Sequence, residues 1–248
     1  MNADQTRISN IEAGRIGISE VRLRRLACHY DCTDQGLVEA LVAMVTRRGR
    51  KWWDEYRGVL SPGQLDLAEL EHHAAQLRTA QITHIPGLFQ TVDHARSIFS
   101  QGVPPLPPHE IEHRISFRIK RQELFHREDP TPYTGVIHEA ALRMQFGGRA
   151  VARRQLDHIL EMSERESLTV LVVPFASGDF PGAGHTICYA SGEVRQLDTV
   201  MLDASHGPEL LDAEAQLDKY QGIVTRMEEL ALPPSPSRDF IRAIAHEL

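Results

Sequence analysis

The stretch TRISNIEAGR, Thr6 to Arg15, decides how the first part of this 248-residue chain folds. Asn2 or Asp4 can cap a helix start by accepting backbone N–H bonds, and Gly14 supplies the left-handed residue that ends a helix. Ile8 and Ile11, three apart, anchor the helix on a core. Gln5, Thr6 and Arg7 then lie at its N-terminal end. Gln and Arg side chains suit bidentate hydrogen bonding to adenine and guanine, whereas Ser9 and Asn10 suit phosphate oxygens. On these residues alone, a capped surface helix with a glycine stop is the alternative.

Outward from this stretch, Ser19 is a suitable N-cap. Val21, Leu23, Leu26 and Ala27 keep a helical period, as do Leu37, Leu41, Met44 and Val45. The basic run Arg47 to Lys51 and then Trp52-Trp53 reads as a solvated, positive helix end leading into a buried ring, or as a phosphate-tracking segment. Leu60-Ser-Pro-Gly63 is the first clear breaker. Residues 1–60 hold ten Lys/Arg against eight Asp/Glu, a balance of +2. With −7 for the whole chain, the remainder carries −9. A mildly basic head on an acidic body is compatible with a DNA binder whose larger part has another task.

Beyond the breaker, Leu65 to Ile82 has the period of a helix, closed by Pro86-Gly87. Thr91 can cap a short helix from Val92 to Phe99, with Leu88 and Phe89 of PGLFQT plugging the core or lining a ligand loop. Pro104, Pro105, Pro107 and Pro108 mark an extended connection before a regular helix over Glu110 to Arg127. Strands are predicted at Tyr133–Ile137, Leu168–Val173, Thr186–Tyr189 and Val194–Leu202, and helices at Ala150–Ser163, Glu209–Leu230 and Arg238–Glu247. The apolar stripes of the last two helices either close their own core or form an interface.

Arg114, Arg118 and Arg121 recur at i, i+4 and i+7 and share one helix face. Three guanidiniums in a row repel one another, so they require carboxylates or an anionic ligand opposite. Gln90, Gln122 and Glu139 join them as a candidate polar network or ligand site, with Glu139 and the acidic excess as the neutralising groups.

The S-x-I-E-x-G core of the opening stretch resembles the end of the recognition helix in Xre/Cro-type helix-turn-helix repressors. That resemblance implies DNA contacts by Gln5, Thr6, Arg7, Ser9 and Asn10. Such domains carry two helices before this one, whereas Met1 to Gln5 alone precede it. The expectation is therefore a truncated head whose residues 1–14 are frayed or rearranged, with Met1 internal to a longer protein. The segments LEHHAAQLRTAQITHIPGLFQT, RIKRQEL, HEAALRMQFGG, QLDHIL and LTVLVVPF, in that order, resemble the C-terminal domain of unknown function joined to such heads in streptomycetes and other actinobacteria. These proteins are called antitoxin-like transcriptional regulators. The resemblance implies a DNA partner for the full-length form, a homodimer and a small companion protein encoded nearby.

No P-loop, H-E-x-x-H or G-x-S-x-G occurs, and the glycine-rich Gly178 to Gly184 lacks the G-x-G-x-x-G order. Cys28 and Cys32 lack an evident second pair of metal ligands, and three cysteines make no disulfide framework. No enzyme activity, metal or cofactor is expected. Neither a signal peptide nor an apolar run of about 20 residues is present, which points to a cytoplasmic protein without a membrane partner. The fold expected is α+β and helix-rich: a truncated all-α helix-turn-helix head over 1–58, then an α+β domain over 65–248 with a small, mostly antiparallel sheet.

Overall fold

A computed structural model of the chain describes residues 5–12, 16–46, 51–181, 186–204 and 207–248. Asn2, Asp4 and Gly14, assigned above to helix caps, lie outside the described residues, as do residues 47–50 of the basic run and residues 182–184 of the glycine-rich segment.

Three helices open the fold: α1 (Gln5–Glu12), α2 (Glu20–His29) and α3 (Gln35–Thr46). Residues 5–12, where fraying or rearrangement is expected, form a regular helix, and the Tyr30 hydroxyl donates to Glu12 at 2.6 Å. Helix α1 nevertheless buries no residue; Ile8 and Ile11 are half-buried. Helices α2 and α3 pack on each other, Leu26, Val38, Ala40 and Val42 are buried, and Arg24 forks onto Glu39 at 2.6 and 2.8 Å. Ser19 does stand before α2, but it caps through its carbonyl, which accepts from Leu23 N–H at 2.9 Å, rather than through its side chain.

A 3-10 turn, Trp52–Tyr56, follows and buries Trp53 and Tyr56. The Ser-Pro-Gly breaker is a helix start: Ser61 is the N-cap of α4 (Pro62–His73), Pro62 occupies the first turn, and Gln64 Oε1 accepts from Ser61 N–H at 3.2 Å. Then come β1 (Gln76–Gln81), α5 (Val92–Phe99), α6 (Pro108–Arg121), β2 (Tyr133–His138), α7 (Glu139–Arg143), α8 (Arg149–Met162) and β3 (Leu168–Val173). Strands β4 (Thr186–Ser191), β5 (Thr199–Ala204) and β6 (Gly207–Leu211) lead to α9 (Glu214–Leu230) and α10 (Pro234–Glu247).

Three expectations are corrected. The stretch Leu65 to Ile82 is a helix followed by a strand, because α4 stops at His73 and residues 76–81 pair with β2 on one side and β4 on the other. Leu67, Leu70, Ala74 and Leu77 keep a helical period by coincidence, and pairing on both edges overrides it. Glu209 to Leu211 belong to β6 rather than to the start of α9. The strand predicted from Val194 begins at Thr199, after a 3-10 turn over Arg195–Leu197.

The protein is α+β with one six-stranded sheet in the order β3-β2-β1-β4-β5-β6. Strands β3, β2 and β1 run parallel; β1-β4, β4-β5 and β5-β6 pair antiparallel, so the sheet is mostly antiparallel. Side chains alternate between two cores, as the two-residue strand period requires. Leu77, Tyr133, Val170, Val172, Cys188 and Met201 pack against α8, α10 and the turns flanking α5 and α6. Ala80, Val136, Leu171, Val173, Ile187 and Val200 face Leu217, Val224 and Met227 of α9. The apolar stripes of α9 and α10 therefore close their own domain, whereas Leu210 sits exposed on β6.

The far edge of the sheet comes very close to α4. A Cβ built on Gly63 would lie 2.5 Å from Pro208 Cγ. Only a residue without a side chain lets β6 lie against the first turn of α4, and this contact closes one wall of the cavity described next.

Candidate ligand site

The arginine face of α6 is split between two environments. Arg121 forks onto Glu71 of α4, with Nε to Oε2 at 2.8 Å and Nη2 to Oε1 at 2.6 Å, and the two side chains are only 9% and 6% exposed. Burial works against the charge on Arg121, and Glu71 outweighs it, holding the guanidinium above its ordinary value. This pair is closed.

Arg118 and Arg114 have no such carboxylate. Arg118 donates to the Oε1 of Gln90 and lies with its guanidinium carbon 4.5 Å from the Phe99 ring centroid. Its Nε and that of Arg114 are enclosed and have no hydrogen-bond partner. The Arg114 side chain makes no hydrogen bond or ion pair among the described residues. Burial, with Arg121 next, pushes Arg118 down to about 9, so it remains a cation at neutral pH. Both arginines line a cavity of about 330 Å³ bounded by α4, α6, β5 and β6, together with Leu67, Phe99, Phe117 and Met201. Asp203 of β5, an exposed residue, is the one acidic residue lining it among the described residues.

Gln90, Gln122 and Arg118 come together as expected. The Gln90 amide donates to Ile85 O at 2.7 Å, and Gln122 donates to Gln90 O at 2.7 Å. The bond to Ile85 turns the side-chain Oε1 of Gln90 toward Arg118. Leu88 and Phe89 are buried as core plugs, and the Thr91 hydroxyl accepts from His94 N–H as the cap of α5. Glu139 is not part of this network. It accepts from Arg143 Nε at 2.6 Å and Phe175 N–H at 2.9 Å, beyond the far end of β2. The carboxylate facing the arginine row is Glu71, fifty residues before Arg121 in the chain, and Asp203 lines the cavity. Neither was marked by spacing.

On the head, Gln5, Thr6, Arg7 and Ser9 are exposed on α1, and Asn10 is half-buried. Lys51 Nζ lies 5.5 Å from the Trp53 ring, so the end of the basic run does lead into a buried ring. Cys28, Cys32 and Cys188 are free, and among the described residues no group of three His, Cys, Asp or Glu is placed to hold a metal ion. No helix of the described residues is long and apolar enough to cross a membrane.

These features define an α+β domain with a cationic cavity at one sheet edge, preceded by a small helical region. Residues 64–243 match the family model described as a domain of unknown function, DUF5753, and the chain belongs to that family. No curated protein and no solved structure matches it.

Proposed function

We propose that the protein is an antitoxin-like, DNA-binding transcriptional regulator of the cytoplasm whose body binds a small ligand. The observation that carries this reading is the double use of α6. Its inner face presents Arg114 and Arg118 to the cavity without carboxylate partners. The same helix seats the turn that links head to body: Trp52 and Tyr56 pack on Phe117 with ring centroids 5.2 and 5.0 Å apart, and Tyr56 Oη meets Ser116 Oγ at 2.8 Å. Lys120 adds an ion pair to Glu55 at 2.8 Å. A ligand that draws the arginines inward biases a helix against which the linking turn packs, which is the physical requirement for coupling. On the head, the exposed row Gln5, Thr6, Arg7 and Ser9 has the chemistry to read bases and hold phosphates. A homodimer and a small companion protein belong to the same proposal.

The test is selection of duplexes from a random pool on the purified chain, followed by anisotropy titration of the enriched sequence. A sequence bound more tightly than random DNA, with weakening by the Arg7→Ala change, supports the reading. Equal binding of all duplexes would leave the chain as a protein-interaction module.

A further inference from the structure

We infer that the cavity between α4, α6 and β6 takes a small organic monoanion, a carboxylate with a short apolar body, held by the guanidiniums of Arg114 and Arg118. This rests on the ligand-binding reading above and narrows it to one chemistry.

The argument starts from charge. Three arginines line the cavity, and Arg121 is neutralised by its fork onto Glu71. Arg114 and Arg118 remain, opposed among the described residues by Asp203. The uncompensated balance is therefore one positive charge, which a single carboxylate completes and a phosphate dianion exceeds. The same charge favours an anion over a neutral molecule, because among the described residues the cavity wall offers these two guanidiniums no carboxylate other than Asp203. A carboxylate has two coplanar oxygens, which match the guanidinium fork.

Size and lining set the rest of the ligand. A space of about 330 Å³ equals the bulk volume of about eleven water molecules, enough for a head group and a tail of six or seven carbons. Leu67, Phe99, Phe117, Met201 and Pro208 supply the apolar wall for that tail. Arg118 is already braced from behind by Gln90 and Phe99, so its guanidinium is ordered before a ligand arrives. Arg114 is the unbraced partner that the anion would fix.

The test is calorimetric titration of the full chain with hexanoate and phenylacetate, against hexanol, 2-phenylethanol, acetate and inorganic phosphate. Saturable 1:1 binding of the two carboxylates is expected, with the matching alcohols and acetate at least about tenfold weaker. Arg114→Gln should weaken the carboxylates by about tenfold or more, with an unchanged melting temperature, because the Arg114 side chain makes no bond that holds the fold together. Asp203→Asn removes the opposing charge and should shift preference toward phosphate. Phosphate binding as tightly as the carboxylates in the unaltered chain would overturn the monoanion assignment while leaving a ligand-binding body. No binding of any anion, or carboxylate binding indifferent to Arg114→Gln, would overturn the site itself.

Discussion

Arg121 and Glu71 meet through two parallel hydrogen bonds, and both side chains are more than nine-tenths covered. This one pair fixes α6 against α4 and removes one arginine from the cavity's charge balance. Removing one partner strands the other as a buried charge, which costs about 3–5 kcal/mol. Glu71→Gln should therefore destabilise the protein by that order in urea unfolding. Adding Arg121→Met to it should recover much of the loss, since no charge is then left buried without a partner. A double variant as unstable as the single would mean that the pair's role is packing rather than charge.

His94 is fully covered by its surroundings, with neither ring nitrogen hydrogen-bonded, and its ring meets Phe146 edge-on at 5.6 Å. Burial first, then Arg118 and His84, push it down to about 4 from 6.5. Above pH 6.5 it is neutral in both the folded and unfolded chain and contributes nothing to the pH dependence. Between 6.5 and 4 the unfolded chain binds a proton that the folded one refuses, so stability falls with pH by up to about 1.4 kcal/mol per unit. His94→Phe should flatten that limb, narrowing the gap between urea midpoints at pH 7 and pH 5. An unchanged gap would assign the acid sensitivity to other groups.

For DNA binding, Arg7→Ala should relax base preference at a cost of about 1–3 kcal/mol on the selected duplex, as expected for loss of a bidentate guanine contact. Ser9→Ala should weaken selected and random duplexes alike. Equal losses on both duplexes for the Arg7 change would take that residue out of base reading.

The C-terminal helix should prove indispensable to the body. Ile241 and Ile244 are buried in the main core, and the Ser237 hydroxyl accepts from Val172 N–H at 3.0 Å while donating to Leu232 O at 2.7 Å. Deleting residues 236–248 exposes this face of β3, so the remainder should lose its cooperative melting transition by calorimetry. A truncated chain that melts cooperatively but no longer self-associates would make the helix an interface instead.

Much of this fold is legible in the sequence where local pattern and tertiary context agree. Leu168–Val173 is β-branched and apolar on both faces, as a strand between two cores must be, and it is β3 to the residue. Val92–Phe99 is bounded by a capping threonine and is α5 to the residue. Strand β1 was hidden because its alternation, with Leu77 and Ala80 on opposite faces, continues the helical spacing of α4 without a glycine or proline between them. In β6, Glu209 and Leu210 have no strand preference of their own. Pairing with β5 and the close approach at Gly63 hold them extended. The arginine face was visible as spacing, but its partners were not. Glu71 and Asp203 reach it from separate elements, α4 and β5, and nothing in their local sequence distinguishes them from the other acidic residues.

If the guanidiniums of Arg114 and Arg118 hold an anion, their Nε–H groups report its arrival most directly. In nitrogen-15 labelled protein, titration with phenylacetate should move the Nε–H resonances of Arg114 and Arg118 downfield and slow their exchange with water, leaving the Arg121 resonance in place because Glu71 already holds it. Movement of none of them, or an equal drift of all surface arginines with ionic strength, would contradict the account.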